Sequence, residues 1–310
     1  MADLEALRAG GWERVALPTE VAEYPTMLTH DERRLLHWLA RDVWEGEAAI
    51  VDAGCFLGGS TISLITGLRA RQTSPSPSAP VPPISTYDLF VAEGYEFASG
   101  YFDRWPEIRA GSRFRHAFDE LLGPALEETT VHDGDITAER WDGGPIEILF
   151  LDVLKLIGIN DHVLPEMLPH LIPGRSVLVQ QDYVHGMLPW IHVTMELLED
   201  ALEHVADVYG CRVYAVVEEI TRERVEEIVP LDERVEPARQ RQLMQQAVWN
   251  AAGGARGSLT VAQANLLRAH GLLDAADALL DHVEREYADD PYVLLDVPQT
   301  RALVAERRAR

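Results

Sequence analysis

One segment constrains the fold of this chain more than any other: residues 49–68, AIVDAGCFLGGSTISLITGL. It has the pattern of a short apolar strand, a tight glycine-rich turn and a helix with apolar residues at helical spacing. Asp52 stands at the end of the strand, and Ser60 or Thr61 is placed to cap the helix. Ligands of open α/β sheets bind at the carboxyl ends of the strands, which makes the turn a candidate binding site. An ordinary strand–turn–helix unit with incidental glycines is the alternative interpretation.

The spacing within this turn is D-x-G-x-x-x-G-G-S, which differs from the G-x-G-x-x-G of dinucleotide-binding sites. It resembles the first motif of class I S-adenosylmethionine (SAM)-dependent methyltransferases. The resemblance implies that Asp52, Gly54, Phe56, Gly58 and Ser60 bind SAM. Glycine permits sharp backbone turns and close approach to a ligand, which is consistent with that role.

Composition excludes several classes of partner. A formal net charge of −24 argues against nucleic acid and against an anionic membrane surface, because both require a basic face. Cys55 and Cys211 are far apart in the chain, so neither a disulfide framework nor a zinc site is predicted. The N-terminus lacks the pattern of a signal peptide, and no apolar run reaches transmembrane length. We expect a soluble cytoplasmic protein whose partner is a small-molecule substrate.

Three regions are predicted. Residues 1–45 form an N-terminal helical cap, in which Thr29 begins a helix. Residues 46–219 form the SAM-binding core, an α/β Rossmann-like, doubly wound, seven-stranded and mostly parallel sheet with helices on both faces. A Ser/Pro-rich run at 72–83 is expected to be an exposed loop. Residues 220–310 form a helical C-terminal extension.

The second half of the chain alternates between helical and extended patterns. A long helix is predicted over 187–205, followed by the last one or two strands within 208–218. In the extension, helical patterns cover 238–251 and 259–286, and Gly271 divides the latter into a hairpin. We expect these helices to form a lid or a homo-oligomer interface, with a plain stabilising cap as the alternative.

The second and third strands end in further acidic residues. Residues 84–87 are predicted as a strand that runs into Asp88, the position at which an acid accepts hydrogen bonds from ribose hydroxyls. Residues 130–132 are predicted as the third strand. Beyond it, Asp135 and Ile136 resemble the adenine-binding position of methyltransferases.

The fourth and fifth strands carry the strongest pattern. The apolar run at 146–151 suits a central parallel strand, and it ends in Asp152. Lys155, three residues later, is the only lysine among 27 basic residues. The strand at 176–179 runs into the sequence QQDY at 180–183. This block resembles small-molecule O-methyltransferases of the catechol and macrocin O-methyltransferase-like families.

The resemblance implies that Asp152, Gln181 and Asp182 bind Mg²⁺ through the oxygen ligands that this ion prefers. It also implies that Lys155 is the general base that takes the proton of a substrate hydroxyl, while the metal lowers the pKa of that hydroxyl. The sequence departs from the macrocin-type pattern at Leu154, where that family has an acid, and at Gln181, where a carboxylate is replaced by an amide.

These departures leave a metal-free reaction open. His185 and His192 follow the fifth strand, and histidine suits proton transfer near neutral pH. We therefore predict Asp152, Lys155 and His185 as catalytic residues of metal-assisted methyl transfer to a hydroxyl of a sugar or natural-product intermediate. One alternative is a metal-free N- or C-methyltransferase with His185 as base. The other is a non-catalytic assembly protein that keeps the fold.

Overall fold

The computed structural model describes residues 4–71, 83–251 and 255–310. The chain folds into two compact units. Unit 1 comprises Met1–Val153, Glu166–Gln181 and Glu203–Ile220, and unit 2 comprises Leu154–Pro165, Asp182–Leu202 and Thr221–Arg310. Almost all of the Ser/Pro-rich run predicted as an exposed loop lies outside the described residues. The three regions predicted from the sequence stay predictions.

A seven-stranded sheet forms the centre of unit 1. Its strands are β1 (Ala49–Ala53), β2 (Ile84–Asp88), β3 (Thr129–Asp133), β4 (Ile146–Leu151), β5 (Val177–Gln180), β6 (Leu202–Val208) and β7 (Cys211–Val216). They lie in the order β3-β2-β1-β4-β5-β7-β6. The first five strands pair in parallel, and β7 pairs antiparallel with β5. The predicted seven-stranded, mostly parallel sheet is confirmed.

The central strands of the sheet are mostly apolar. Every residue of β1 and β4 is buried, as expected for interior strands of a parallel sheet. Two carboxylates interrupt this buried apolar layer, Asp52 in β1 and Glu147 in β4. Asp52 lies in register with Thr86 of β2 and Phe150 of β4. Such a residue needs polar partners within the fold.

Seven α-helices are described before the extension. They are α1 (Leu4–Arg8), α2 (Thr19–Ala22), α3 (His30–Trp38), α4 (Gly59–Arg69), α5 (Arg115–Leu122), α6 (Ile157–Met167) and α7 (Pro189–Leu197). The predicted N-cap of α3 is confirmed, because Thr29 and Glu32 form a reciprocal capping box. A π-helical turn, Leu39–Val43, continues α3.

The helix predicted over 187–205 is too long. Helix α7 ends at Leu197, and β6 takes the last part of the predicted range. Leu202 and Val208 are the buried ends of that strand, and an even spacing places them on the same face. The apolar spacing there satisfies both a helical and an extended period, which explains the error. Tyr209, with a φ of 51°, forms the turn into β7.

The C-terminal part of unit 2 is helical. Its helices are α8 (Arg222–Glu226), α9 (Leu231–Arg234), α10 (Pro237–Asn250), α11 (Ala255–Ala269), α12 (Leu273–Glu286) and α13 (Pro291–Ala309). The hairpin divided at Gly271 is confirmed, and this glycine has a φ of 77°. Small and branched apolar residues of α11, α12 and α13, such as Val261, Leu280 and Val297, form a shared core. Over the described ranges, no helix is long and apolar enough to cross a membrane.

Candidate cofactor-binding and active site

The glycine turn between β1 and α4 is left-handed at three positions. The φ angles are 99° at Gly54, 50° at Phe56 and 96° at Gly58. A Cβ atom at Gly54 would lie 2.5 Å from the carbonyl oxygen of Asp152, and one at Gly58 would lie 3.0 Å from the Tyr24 hydroxyl. Glycine is therefore required at both positions by backbone conformation and by neighbouring protein atoms, in addition to any ligand.

Asp52 binds two hydroxyl groups at the start of α4. Its Oδ2 accepts hydrogen bonds from the hydroxyls of Ser60, at 3.0 Å, and Thr61, at 2.5 Å. The prediction that one of these hydroxyls caps the helix is wrong: Gly58 occupies the N-cap, and the hydroxyls turn to the buried carboxylate instead. Burial raises the pKa of Asp52 to about 6. Its Oδ1 has no hydrogen-bond partner among the residues that the structure describes.

Asp88 connects the end of β2 to the turn. Its Oδ2 accepts the main-chain N–H of Phe56 at 2.8 Å, and its Oδ1 accepts that of Phe90 at 2.6 Å. Burial raises the pKa of this carboxyl group. The side chain is partly exposed, and each carboxylate oxygen keeps a second lone pair for a further donor. Asp88 is therefore both a support of the turn and an available acceptor for ligand hydroxyls.

The two residues predicted at the adenine position differ in exposure. Asp135 is exposed and caps the short 3₁₀ helix Ile136–Ala138, accepting hydrogen bonds from the N–H and the hydroxyl of Thr137 at 2.9 and 2.8 Å. Ile136 is buried. Nearby in sequence, the rings of Tyr87 and His132 stack with centroids 4.1 Å apart. The cap already gives Asp135 a structural role, and its contact with a cofactor stays a prediction.

The cofactor implied by the resemblance fits the residues of this end of unit 1. A ribose presents two neighbouring hydroxyl donors, and Asp88 presents acceptor lone pairs at the end of a parallel strand. The turn that precedes α4 has no side chain at Gly54 and Gly58 and is held in position by Asp52 and Asp88.

The strand ends predicted to bind Mg²⁺ are occupied by protein partners. Gln181 is buried, and its Nε2 donates to Glu32 Oε1 at 2.9 Å, an atom that also accepts the Gly210 N–H at 3.1 Å. The Gln181 side chain thereby joins the end of β5 to α3. The Asp152 N–H donates to the carbonyl oxygen of Ala53 at 2.7 Å, which continues the β1–β4 ladder past the strand.

Lys155 and Asp182 form an ion pair within unit 2. The Lys155 Nζ donates to Asp182 Oδ2, and about half of the lysine side chain is exposed. Asp182 has a φ of 58°, so its backbone turns sharply directly after Gln181. The Asp182 carbonyl oxygen accepts the His185 N–H at 2.9 Å. The lone lysine of the chain is therefore paired with one of the two carboxylates predicted to bind the metal.

These contacts do not fit a divalent cation. The carboxylate of Asp182 is already neutralised by an ammonium group, and the amide of Gln181 holds Glu32. The macrocin-type acidic position is Leu154, which is buried. In the portion of the chain with described coordinates, no three His, Cys, Asp or Glu side chains are grouped so that they could hold a metal ion. Mg²⁺ prefers an octahedral set of oxygen ligands, which these residues do not supply.

The two candidate histidines are in different environments. His192 is fully buried, and its Nε2 lies 2.6 Å from the carbonyl oxygen of Tyr183, which is the environment of a core residue. His185 is partly exposed, and its Nδ1 lies 3.0 Å from Asp296 Oδ2. Burial lowers the pKa of His185, but the hydrogen bond and charge of Asp296, with the charge of Asp182, raise it above the ordinary value.

Asp296 is the site residue that was not predicted from the sequence. It lies on α13 and is completely buried, on the face that also carries Val293, Val297 and Thr300. A carboxylate within an apolar stripe of a helix is the signal that could have identified it, because a buried charge requires a specific partner. The partner, His185, lies more than one hundred residues earlier in the chain.

Neither a protein-family model nor a curated protein matches this sequence. Among solved structures, the chain is similar to the O-methyltransferase NovP, with 14% identity and a TM-score of 0.45 over 69% of this chain and 96% of that one. It is similar to the Podospora anserina methyltransferase PaMTH1, solved with bound SAH, with 14% identity and a TM-score of 0.41 over 70% and 97%. A third is the pyocyanin biosynthetic protein PhzM, with 18% identity and a TM-score of 0.35 over 69% and 67%.

All three TM-scores lie below 0.5. Three features of this chain agree with the motifs predicted from its sequence: the seven-stranded mostly parallel sheet, the glycine turn supported by Asp52, and the acid at the end of β2. The seven-stranded, mostly parallel sheet with helices that the sequence motifs predict is present in this chain.

Proposed function

We propose that this protein is a SAM-dependent methyltransferase that acts on a hydroxyl group of a small molecule without a divalent metal. The observation that supports the proposal most is the contact between Asp88 and the Phe56 N–H. This contact brings the Asp88 carboxylate against a left-handed turn at the carboxyl end of a parallel strand, and nucleosides bind at such strand ends in open α/β sheets.

In this proposal the residues of unit 1 bind and orient the cofactor. Asp88 holds the ribose hydroxyls, Asp52 fixes the first turn of α4, and Gly54 and Gly58 permit the left-handed turn between them. When bound, SAM supplies an electrophilic methyl group on a sulfonium. Positioning of the two reactants accounts for most of the rate, since an in-line displacement needs little further chemistry from the protein.

In the same proposal His185 is the general base. Its Nδ1 is engaged by Asp296, which leaves Nε2 to accept the proton of a substrate hydroxyl. Lys155, the other predicted base, is bound as a hydrogen-bond donor by Asp182. That pairing favours the histidine over the lysine and also removes one ligand from the predicted metal site. A nitrogen or carbon acceptor is a second candidate, because without a metal no group of this site selects an oxygen nucleophile.

The test measures S-adenosylhomocysteine released from SAM with a panel of phenols, catechols, glycosides and amines, each in Mg²⁺ and in EDTA. We expect release with at least one hydroxyl compound, equal in both conditions. The His185→Gln variant should lose about 10²-fold or more of this activity, within the range for a general base. A matched control is His282→Gln, because His282 is exposed on α12. Release that stops in EDTA would show a metal-assisted reaction, and no release with any compound would contradict the proposal.

A further inference from the structure

A carboxylate of the last helix contacts the loop that carries His185. Asp296 Oδ2 lies 3.0 Å from His185 Nδ1 and accepts the Gly186 N–H at 2.7 Å. Asp296 itself is completely buried. Its second oxygen, Oδ1, has no hydrogen-bond partner within residues 4–71, 83–251 and 255–310. A buried carboxylate with an unsatisfied oxygen costs stability. Asp296 therefore needs favourable partners for its other oxygen, and His185 and Gly186 are those partners.

The distance to Asp296 indicates which ring nitrogen carries the proton. An ionised carboxylate only accepts hydrogen bonds, and two acceptors without a hydrogen between them repel at 3.0 Å, so the hydrogen is expected on His185 Nδ1. The N–H of Met187 lies 3.5 Å from the same nitrogen, which is too long to compete for it. In the neutral ring, Nε2 then carries the lone pair. This is the arrangement in which an acid orients a histidine base and stabilises its protonated form.

A second residue of the extension holds the same peptide unit from the other side. Asn265 on α11 donates through Nδ2 to the Gly186 carbonyl oxygen at 2.9 Å and to Thr300 Oγ1 at 2.8 Å. A Cβ atom at Gly186 would lie 2.7 Å from the Val261 Cβ and 3.1 Å from Asp296 Oδ2. Both polar groups of Gly186 are therefore bound by helices α11 and α13, and the close packing leaves room only for glycine.

We propose that Asp296, on the last of the C-terminal helices, is the positioning residue that sets the tautomer and orientation of His185. The inference deepens the proposed function and rests on it for the role of His185. It assigns to the extension a task in the chemistry of the site, in addition to the cap, lid or interface expected from its sequence. Asp296 acts through the histidine and does not itself contact the substrate.

The test reads the tautomer of His185 by ¹⁵N NMR at about pH 9, well above the ordinary pKa of histidine. The His185 signal, one of 11 histidine signals, is assigned by its loss in His185→Gln. We expect the Nδ1–H tautomer in the unmodified protein and a shift toward Nε2–H in Asp296→Asn. Asp277→Asn is the matched control, since Asp277 is a carboxylate of α12 that pairs with arginines. It should leave the His185 signal unchanged.

The kinetic part uses whichever acceptor of the panel gives S-adenosylhomocysteine. Asp296→Asn should lower kcat by about 10²-fold, with SAM affinity unchanged, as expected when a base loses its orienting partner. An Nε2–H tautomer in the unmodified protein would overturn the inference, and this outcome does not depend on whether any variant folds. An unchanged tautomer in folded Asp296→Asn would overturn it as well. If the tautomer is as expected but no acceptor reacts, the proposed function fails while the His185–Asp296 pairing stands.

Discussion

The main-chain N–H of Phe56 donates a hydrogen bond of 2.8 Å to the carboxylate of Asp88. Phe56 has a φ of 50°, which is uncommon for a bulky residue and costs on the order of 1 kcal/mol. The hydrogen bond to Asp88 offsets that strain. Edge-on packing of the Phe56 ring against Tyr101, Phe102 and Phe114 offsets it further. The same carboxylate that would bind the cofactor therefore keeps the turn in its binding conformation.

The first prediction concerns Gly54. Gly54→Ala places a Cβ at a φ of 99° and 2.5 Å from the Asp152 carbonyl oxygen, so both backbone strain and overlap oppose it. We expect the free energy of unfolding to fall by about 2 kcal/mol or more. The measurement is urea denaturation, with Gly134→Ala as control because a Cβ there has no atom within 4 Å. Equal stability of the two variants would contradict the close approach described for Gly54.

The second prediction concerns the pH dependence contributed by Asp52. Its pKa is about 6 in the folded protein against an ordinary 3.8. The unfolded chain therefore releases this proton first as the pH rises. The contribution to stability is complete below about pH 4 and is lost as the pH rises through about 6. About 2 pKa units at about 1.4 kcal/mol each give a loss of about 3 kcal/mol.

Asp52→Asn removes that titration while keeping an acceptor for Ser60 and Thr61. We expect the variant to gain about 3 kcal/mol of stability relative to the unmodified protein between about pH 4 and about pH 7. Urea denaturation of both proteins across this range gives the difference directly. Two parallel curves would show that Asp52 keeps its ordinary pKa in the fold.

The third prediction is that Mg²⁺ does not bind at Asp182. The ammonium of Lys155 already occupies its carboxylate, and Gln181 holds Glu32. We expect millimolar Mg²⁺ to change the thermal unfolding midpoint by less than about 1 °C, since a ligand stabilises only the state that binds it. Asp182→Asn should behave in the same way. A Mg²⁺-dependent rise in the unmodified protein that disappears in Asp182→Asn would restore the metal site predicted from the sequence.

The part of the fold that could be predicted from the sequence depends on local patterns. The strand, turn and helix around Asp52 are adjacent in the chain, and Asp88 is the last residue of strand β2. The capping box at Thr29 is likewise a matter of four consecutive residues. Local hydrophobic periodicity and turn chemistry determine such features.

The rest depends on contacts between distant segments. Ser60 and Thr61 have the sequence of helix caps, and only the buried Asp52 carboxylate explains why they bond elsewhere. Asp296 can be recognised as a site residue only from its contact with His185. Pairing of Lys155 with Asp182 also requires knowledge of side-chain positions. It changes the interpretation of Lys155, predicted as a base, and of Asp182, predicted as a metal ligand.

Calorimetric titration with SAM and with S-adenosylhomocysteine tests directly whether the turn beside Asp88 binds the cofactor. We expect micromolar binding of both to the unmodified protein, unaffected by Mg²⁺, and no detectable binding to Asp88→Ala. Asp133→Ala is the matched control, because Asp133 lies beside Asp88 in the sheet register but pairs with Arg113 and Arg115. It should bind both ligands within about threefold of the unmodified protein, as expected for loss of a surface ion pair. Binding that survives in Asp88→Ala, or no binding to the unmodified protein, would show that Asp88 and its turn do not form a SAM site.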